Sequence, residues 1–190
     1  MEIVFVRHGE PEWVRDRLNV DNPPLTLRGH EQAALLGKWA ETEFFDEVFV
    51  SPLVRTQQTA APILESLQMP LVIAPWLEEI RNPIWHGTPE EKAIEAYKSE
   101  KAKPSHERWN GLDGGEAVSD FVGRINVGTS LFLEEHGLVR AETSLPIWEK
   151  TSTFRPDIRV LLVAHAGTSS VSICHMLGFP PTPWEWERLV

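Results

Sequence analysis

Val160-Leu161-Leu162-Val163-Ala164-His165-Ala166-Gly167 decides how the rest of the chain folds. Five apolar residues in succession leave no polar face. The run therefore reads as a strand buried on both sides, ending in a histidine and two small residues. Such a strand needs helices above and below its sheet, and the sequence alternates accordingly. Ile3-Val4-Phe5-Val6 is a second continuous run, and residues 48–50 and 71–74 are shorter ones. Thr26 caps a helix reaching residue 40, with Ala33, Leu36 and Ala40 on one face. Ser51 as N-cap and Pro52 at the first helical position start a helix reaching residue 67. Thr88-Pro89-Glu90-Glu91 has the form of a capping box and opens a helix to about residue 101. A long helix spans 116–136 with Gly137 as its stop, and another spans 168–177 and ends at Gly178. Residues 104–115 read as loop, and 138–157 show no period. The alternation predicts an α/β protein, a three-layer α/β/α sandwich around a mostly parallel sheet.

No linker, repeat or low-complexity tract divides the 190 residues, so residues 1–190 are expected to form a single domain. Apolar residues at 42% and charged residues at 24% are globular values, which excludes disordered and collagen-like chains. Cys174 is the single cysteine, so no internal disulfide calls for an oxidising compartment. A net charge of −10 argues against nucleic acid or an anionic membrane as partner. The first residues lack the basic start and apolar stretch of a signal peptide, and no run is long enough to span a bilayer. The expectation is a soluble, cytoplasmic protein; the sequence sets no oligomeric state.

Three strand ends carry reactive side chains. The first strand delivers Arg7-His8-Gly9-Glu10, the second leads into Ser51-Pro52-Leu53-Val54-Arg55, and the last delivers His165-Ala166-Gly167. Ligands of open α/β sheets collect at the carboxyl ends of strands, so two histidines and two arginines should converge there. Gly9, Ala166 and Gly167 let backbone approach a ligand, and helix N-termini near Pro52 and Thr168 favour an anion. Guanidinium forks match phosphoryl oxygens, and a neutral imidazole can attack phosphorus. The residues alone do not choose which histidine attacks. Trp76-Leu77-Glu78-Glu79-Ile80, past the third strand, holds acids that could protonate a leaving alkoxide if their pKa were raised.

Arg7-His8-Gly9-Glu10 resembles a motif of the histidine phosphatase, or phosphoglycerate-mutase-like, superfamily. Further blocks resemble that family in the same order: Leu25-Thr26 with Gly29 and Gln32-Ala33, then Ser51-Pro52-Leu53 with Arg55 and Gln58-Thr59-Ala60. Leu77, Glu79 and Ile80 with Trp85 and Gly87 come next, followed by Gly115-Glu116 with Arg124, and finally Val163 with His165. The resemblance implies a phosphoglycerate-mutase-like fold and a phosphatase of phosphate monoesters. It implies His8 as the phosphorylated nucleophile, with Arg7, Arg55 and His165 completing the phosphate pocket and Glu79, rather than Glu78, as proton donor. It also implies no metal and no organic cofactor, and a small phosphorylated metabolite or another phosphate monoester as substrate.

The chain departs from the family at several places. Val14 stands where members often carry asparagine, which removes a polar contact expected near the phosphate. Residues 138–157 look like an insertion, and the sequence ends at Val190, where members usually continue into a final strand. A phosphoglycerate-type mutase using the same pocket is the alternative activity, and a non-catalytic phosphate-binding protein is a third reading. Glu78-Glu79-Ile80-Arg81-Asn82 looks closer to the phosphatase pattern, so hydrolysis is preferred. His30-Glu31-Gln32-Ala33-Ala34 lacks the second histidine of a zinc motif, and Cys174 reads as a buried inert thiol. Trp13, Trp76 and Trp85 flank the reactive blocks and could wall an apolar leaving-group pocket; His86 reads as an exposed loop residue.

Overall fold

The structure, a computed structural model, describes residues 1–143 and 145–184. Its centre is a parallel sheet of β1 (Glu2–Arg7), β4 (Glu47–Val50) and β7 (Arg159–Ala164), with β7 in the middle. Register runs from Ile3 to Val160 and from Arg7 to Ala164 on one side, and from Glu47 to Val160 and Val50 to Val163 on the other. The continuous apolar runs are explained by the layers. Alternate residues Val6, Val48, Val50, Leu161 and Val163 join Ala60, Ile63 and Leu64 of α2 (Val54–Leu67) in one core, against which α1 (Leu27–Ala40) lays Leu36 and Trp39. The intervening Ile3, Phe5, Phe49, Val160, Leu162 and Ala164 face Phe132 and Leu133 of α4 (Val118–Glu135). α5 (Ala166–Leu177) packs its Val171 against α4. Three layers with a parallel sheet are the architecture expected from the sequence.

The helix ends follow tertiary contacts more than local rules. Thr26 does cap α1, accepting from the Gly29 N–H at 3.0 Å. Ser51 caps nothing: α2 opens only at Val54, whose N–H donates to Asn22 Oδ1 at 3.1 Å. The Thr88 hydroxyl donates to Trp85 O at 2.6 Å and receives the Asn19 amide, so no capping box forms; α3 (Glu90–Ala102) begins beyond Pro89. α4 starts two residues after the expected Glu116, and α5 starts two residues before Thr168. Gly137 and Gly178 end their helices with φ of 78° and 74°.

Residues 71–74 make only an isolated bridge, Val50 to Ile73, instead of the expected strand. They lie at the sheet edge, where Leu71, Val72 and Ile73 are exposed and no layer covers them. Residues 138–157 contain a short antiparallel pair, β5 (Leu138–Arg140) with β6 (Trp148–Lys150). A two-residue turn through Asp16 and Arg17, both at positive φ, joins β2 (Val14–Arg15) to β3 (Leu18–Asn19). The expectation about the final strand falls on residues outside those described. Among the described residues no helix is long and apolar enough to cross a membrane.

Candidate active site

Parallel register sets the site. Arg7 and Ala164 are paired, the His8 N–H donates to Ala164 O at 3.1 Å, and the Ser51 N–H donates to Val163 O at 3.0 Å. The carboxyl ends of β1, β7 and β4 therefore stop at one level, bringing His8, His165 and Ser51 side by side. The His8 and His165 ring centroids lie 5.1 Å apart. Arg55, in the first turn of α2, enters from the β4 side, and Arg7 stands exposed at the rim. Arg7, His8 and Arg55 line a cleft of about 510 Å³, with His165 and Ser51 buried behind them.

The two histidines are held differently. His8 Nδ1 lies 2.7 Å from Gly9 O, and a carbonyl only accepts, so Nδ1 carries the proton and Nε2 keeps its lone pair. Burial, with Arg55 and Arg7 nearby, brings the His8 pKa down to about 4 against the opposing Gly9 bond. His165 is fully buried; its Nε2 lies 2.7 Å from Ser51 Oγ, while Nδ1 has no hydrogen-bond partner among the described residues. Burial first, then Arg55 and His8, hold its pKa well below the usual histidine range. Both rings are neutral at pH 7.

Arg55 is 3% exposed, its Nε has no hydrogen-bond partner, and no carboxylate pairs with it among the described residues. Burial lowers its pKa to about 10, which still leaves it charged. The Trp13 ring lies 4.9 Å from its guanidinium carbon. Glu79 accepts from the Gly167 N–H at 2.9 Å, and burial raises its pKa in spite of that bond and of Arg55. A Cβ on residue 167 would collide with this carboxyl, so the small residue read from the sequence makes room for the acid rather than for a ligand. Glu78 is instead bonded by Arg81 Nε and Nη2 at 3.0 and 2.6 Å. Glu10 is held by the Thr26 hydroxyl at 2.7 Å.

Several residues that the sequence marked only as members of family-like blocks support the site, in ways the blocks did not specify. Thr59 accepts the Gly9 N–H at 3.0 Å and donates to Arg55 O at 2.7 Å, tying the loop after β1 to α2. Gln32 accepts the Glu10 N–H and Gln58 accepts the Leu25 N–H, which satisfies the loop after β1. A Cβ on Gly9 would come within 2.6 Å of Gly29 O, so α1 crosses this loop only over glycine. Arg124 donates to Glu78 O and Glu79 O at 2.7 and 2.8 Å and is itself held by Glu116, so it fixes the acid-bearing segment. Trp13 and Trp85 line the cleft as expected, but Trp76 does not: it packs on Phe132 at 5.7 Å between centroids. Val14 does not line the cleft; Asn19, opposite it in the hairpin, does. His86 is exposed and outside the cleft lining, and burial raises the Cys174 thiol pKa. Among the described residues no group of His, Cys, Asp and Glu is disposed to hold a metal.

The chain matches the histidine phosphatase superfamily (branch 1) over residues 3–189 and belongs to it. As a class it is a phosphatase, a hydrolase of phosphoric monoesters. It is similar to phosphoserine phosphatase 1 of Hydrogenobacter thermophilus, 29% identical over 94% of this chain and 77% of that one. It is also similar to the Yersinia enterocolitica protein named probable phosphoglycerate mutase GpmB, 27% identical over 95% and 77%. Among solved structures it resembles the α-ribazole phosphatase of Shigella flexneri, with a TM-score of 0.66 and 26% identity over 95% of this chain and 81% of that one.

Proposed function

We propose that the chain is one catalytic domain that hydrolyses phosphate monoesters of small cytoplasmic metabolites in two displacements, with no metal or organic cofactor. Arg7 and Arg55 hold the phosphoryl oxygens. His8 Nε2 attacks phosphorus as the P–O bond to the alcohol breaks, and Glu79 gives its proton to the departing alkoxide. Water then attacks the phosphohistidine, Glu79 takes the water's proton, and the P–N bond breaks to return the electron pair to His8. The Ser51 hydroxyl, donating to His165 Nε2, leaves the proton on Nδ1, so His165 is a neutral donor to a phosphoryl oxygen throughout.

Arg55 carries the reading. A guanidinium kept this dry, with Glu79 near but no carboxylate in salt-bridge contact among the described residues, costs on the order of several kcal/mol, which a doubly charged phosphoryl group would offset. A mutase would also have to clamp a carboxylate or second phosphate. The other cations along the cleft are Arg81, bonded to Glu78, Arg108, bonded to Lys101 O and Lys103 O, and the exposed Lys101. That inventory favours water as acceptor over a second substrate hydroxyl.

The test is phosphate release from an aryl phosphate and from 3-phosphoglycerate with chelator present. Chelator-resistant release from the aryl ester is expected. Isomerisation of phosphoglycerate without release would replace hydrolysis by the mutase reading, and loss of activity with chelator would remove the metal-free mechanism.

A further inference from the structure

We infer that the leaving group taken by this site is a flat aromatic alcohol bearing a hydrogen-bond donor, best an ammonium, at the end remote from the phosphate. The inference rests on the phosphatase reading and concerns the part of the same cleft walled by Trp85 and by α3 (Glu90–Ala102). There the walls are aromatic. Trp85 meets Tyr97 edge to face at 5.8 Å, and Tyr97 meets Trp184 in the same way at 6.0 Å. Rings locked against one another form a slot that needs little ordering on binding. Trp13, stacked on Arg55, gives the slot a further ring on the cleft lining. A cavity of this volume takes far more than a phosphoryl group, and its lining suits an apolar body.

Beside the cations Lys101 and Arg108, two polar groups of this lining, Glu100 and Asn82, hold acceptor atoms in want of donors. α3 presents Ala93, Tyr97, Glu100 and Lys101 to the cleft, a spacing that puts them on one helical face. α3 has no apolar stripe, and its one buried residue is Glu100, 4% exposed. A buried carboxylate on a solvated helix is expensive unless its oxygens are engaged. Glu100 Oε2 takes the Lys103 ammonium at 2.6 Å; Oε1 accepts nothing from the described residues. Asn82, which meets the Tyr97 hydroxyl, likewise leaves a buried Oδ1 without a donor. Two unfilled acceptors beside an aromatic slot call for a ring that carries N–H or O–H, and a charged donor gains most from a carboxylate. A second anion on the substrate would instead meet Glu100.

Three aryl esters with matched leaving groups test this: phenyl phosphate, its 4-(2-aminoethyl) derivative and its 4-(2-carboxyethyl) derivative. Benzyl phosphate against glycerol 3-phosphate tests the ring. In kcat/KM, the amine is expected to exceed the parent by about tenfold, the carboxylate to fall below the parent, and benzyl phosphate to exceed glycerol phosphate by about tenfold. Glu100→Gln is expected to bring the amine-to-parent ratio down to about 1. A preferred carboxylate or glycerol ester, or an amine preference that survives Glu100→Gln, would overturn the inference while leaving hydrolysis standing. No phosphate from any of the five esters would remove the phosphatase reading and this inference together.

Discussion

His8→Ala is expected to lower kcat by at least about 10^4-fold on every ester, activated or not, measured as phosphate release. No other neutral nitrogen in the site has both a free lone pair and an open approach. His165 is fully buried, with Nε2 on Ser51. The variant should melt close to wild type, because the half-buried His8 ring has a single hydrogen bond, to the neighbouring Gly9. It should still bind inorganic phosphate through Arg7 and Arg55. Turnover retained within tenfold would show that another group attacks.

Glu79→Gln is expected to divide substrates by leaving group. Alkyl phosphates should lose about 10^2 to 10^4-fold in kcat/KM, the scale of general-acid catalysis. 4-Nitrophenyl phosphate, whose anion leaves unaided, should stay within about tenfold, because kcat/KM ends once the alcohol is released. The pH profile carries the same information. His8 must be neutral, and with its pKa lowered to about 4 the rate rises through that value and is then level. Glu79 must be protonated, and with its pKa raised the rate on alkyl esters falls as pH climbs through that higher value. The substitution should abolish the alkaline limb and keep the acidic one. Equal losses on both ester types would move the acid elsewhere. Glu78, pinned by Arg81, and Glu10, held by Thr26, are poorly disposed to replace it.

Much of this was legible in the sequence because it depends on short-range rules acting in register. The three core strands are continuous apolar runs, and a parallel sheet aligns their ends, so Arg7, His8 and His165 meet despite their separation in the chain. The residues alone did not choose between the histidines; only the family resemblance pointed to His8. The choice turns on Gly9 O and Ser51 Oγ, each placed by the fold, and on the proton position that each bond imposes. Ser51 shows why: its position before Pro52 satisfies two helix-start rules, yet a buried imidazole 114 residues away claims the hydroxyl. Thr88 is the same lesson, with Asn19 drawing it out of a capping box. The 148–150 strand is too short to show a period, and residues 71–73 are apolar but lack a covering layer. The α3 face was hidden because its spacing pairs one aromatic, one carboxylate and one lysine, which no hydrophobic pattern marks. Tyr97, the only tyrosine in the chain, was the available signal.

The stereochemical course at phosphorus tests the central claim most directly. An ester with a chiral, isotopically labelled thiophosphoryl group, hydrolysed in labelled water, reports how many displacements occur. Two in-line displacements, onto His8 Nε2 and then onto water, require overall retention. Inversion would mean that water attacks the ester directly and that His8 is never phosphorylated.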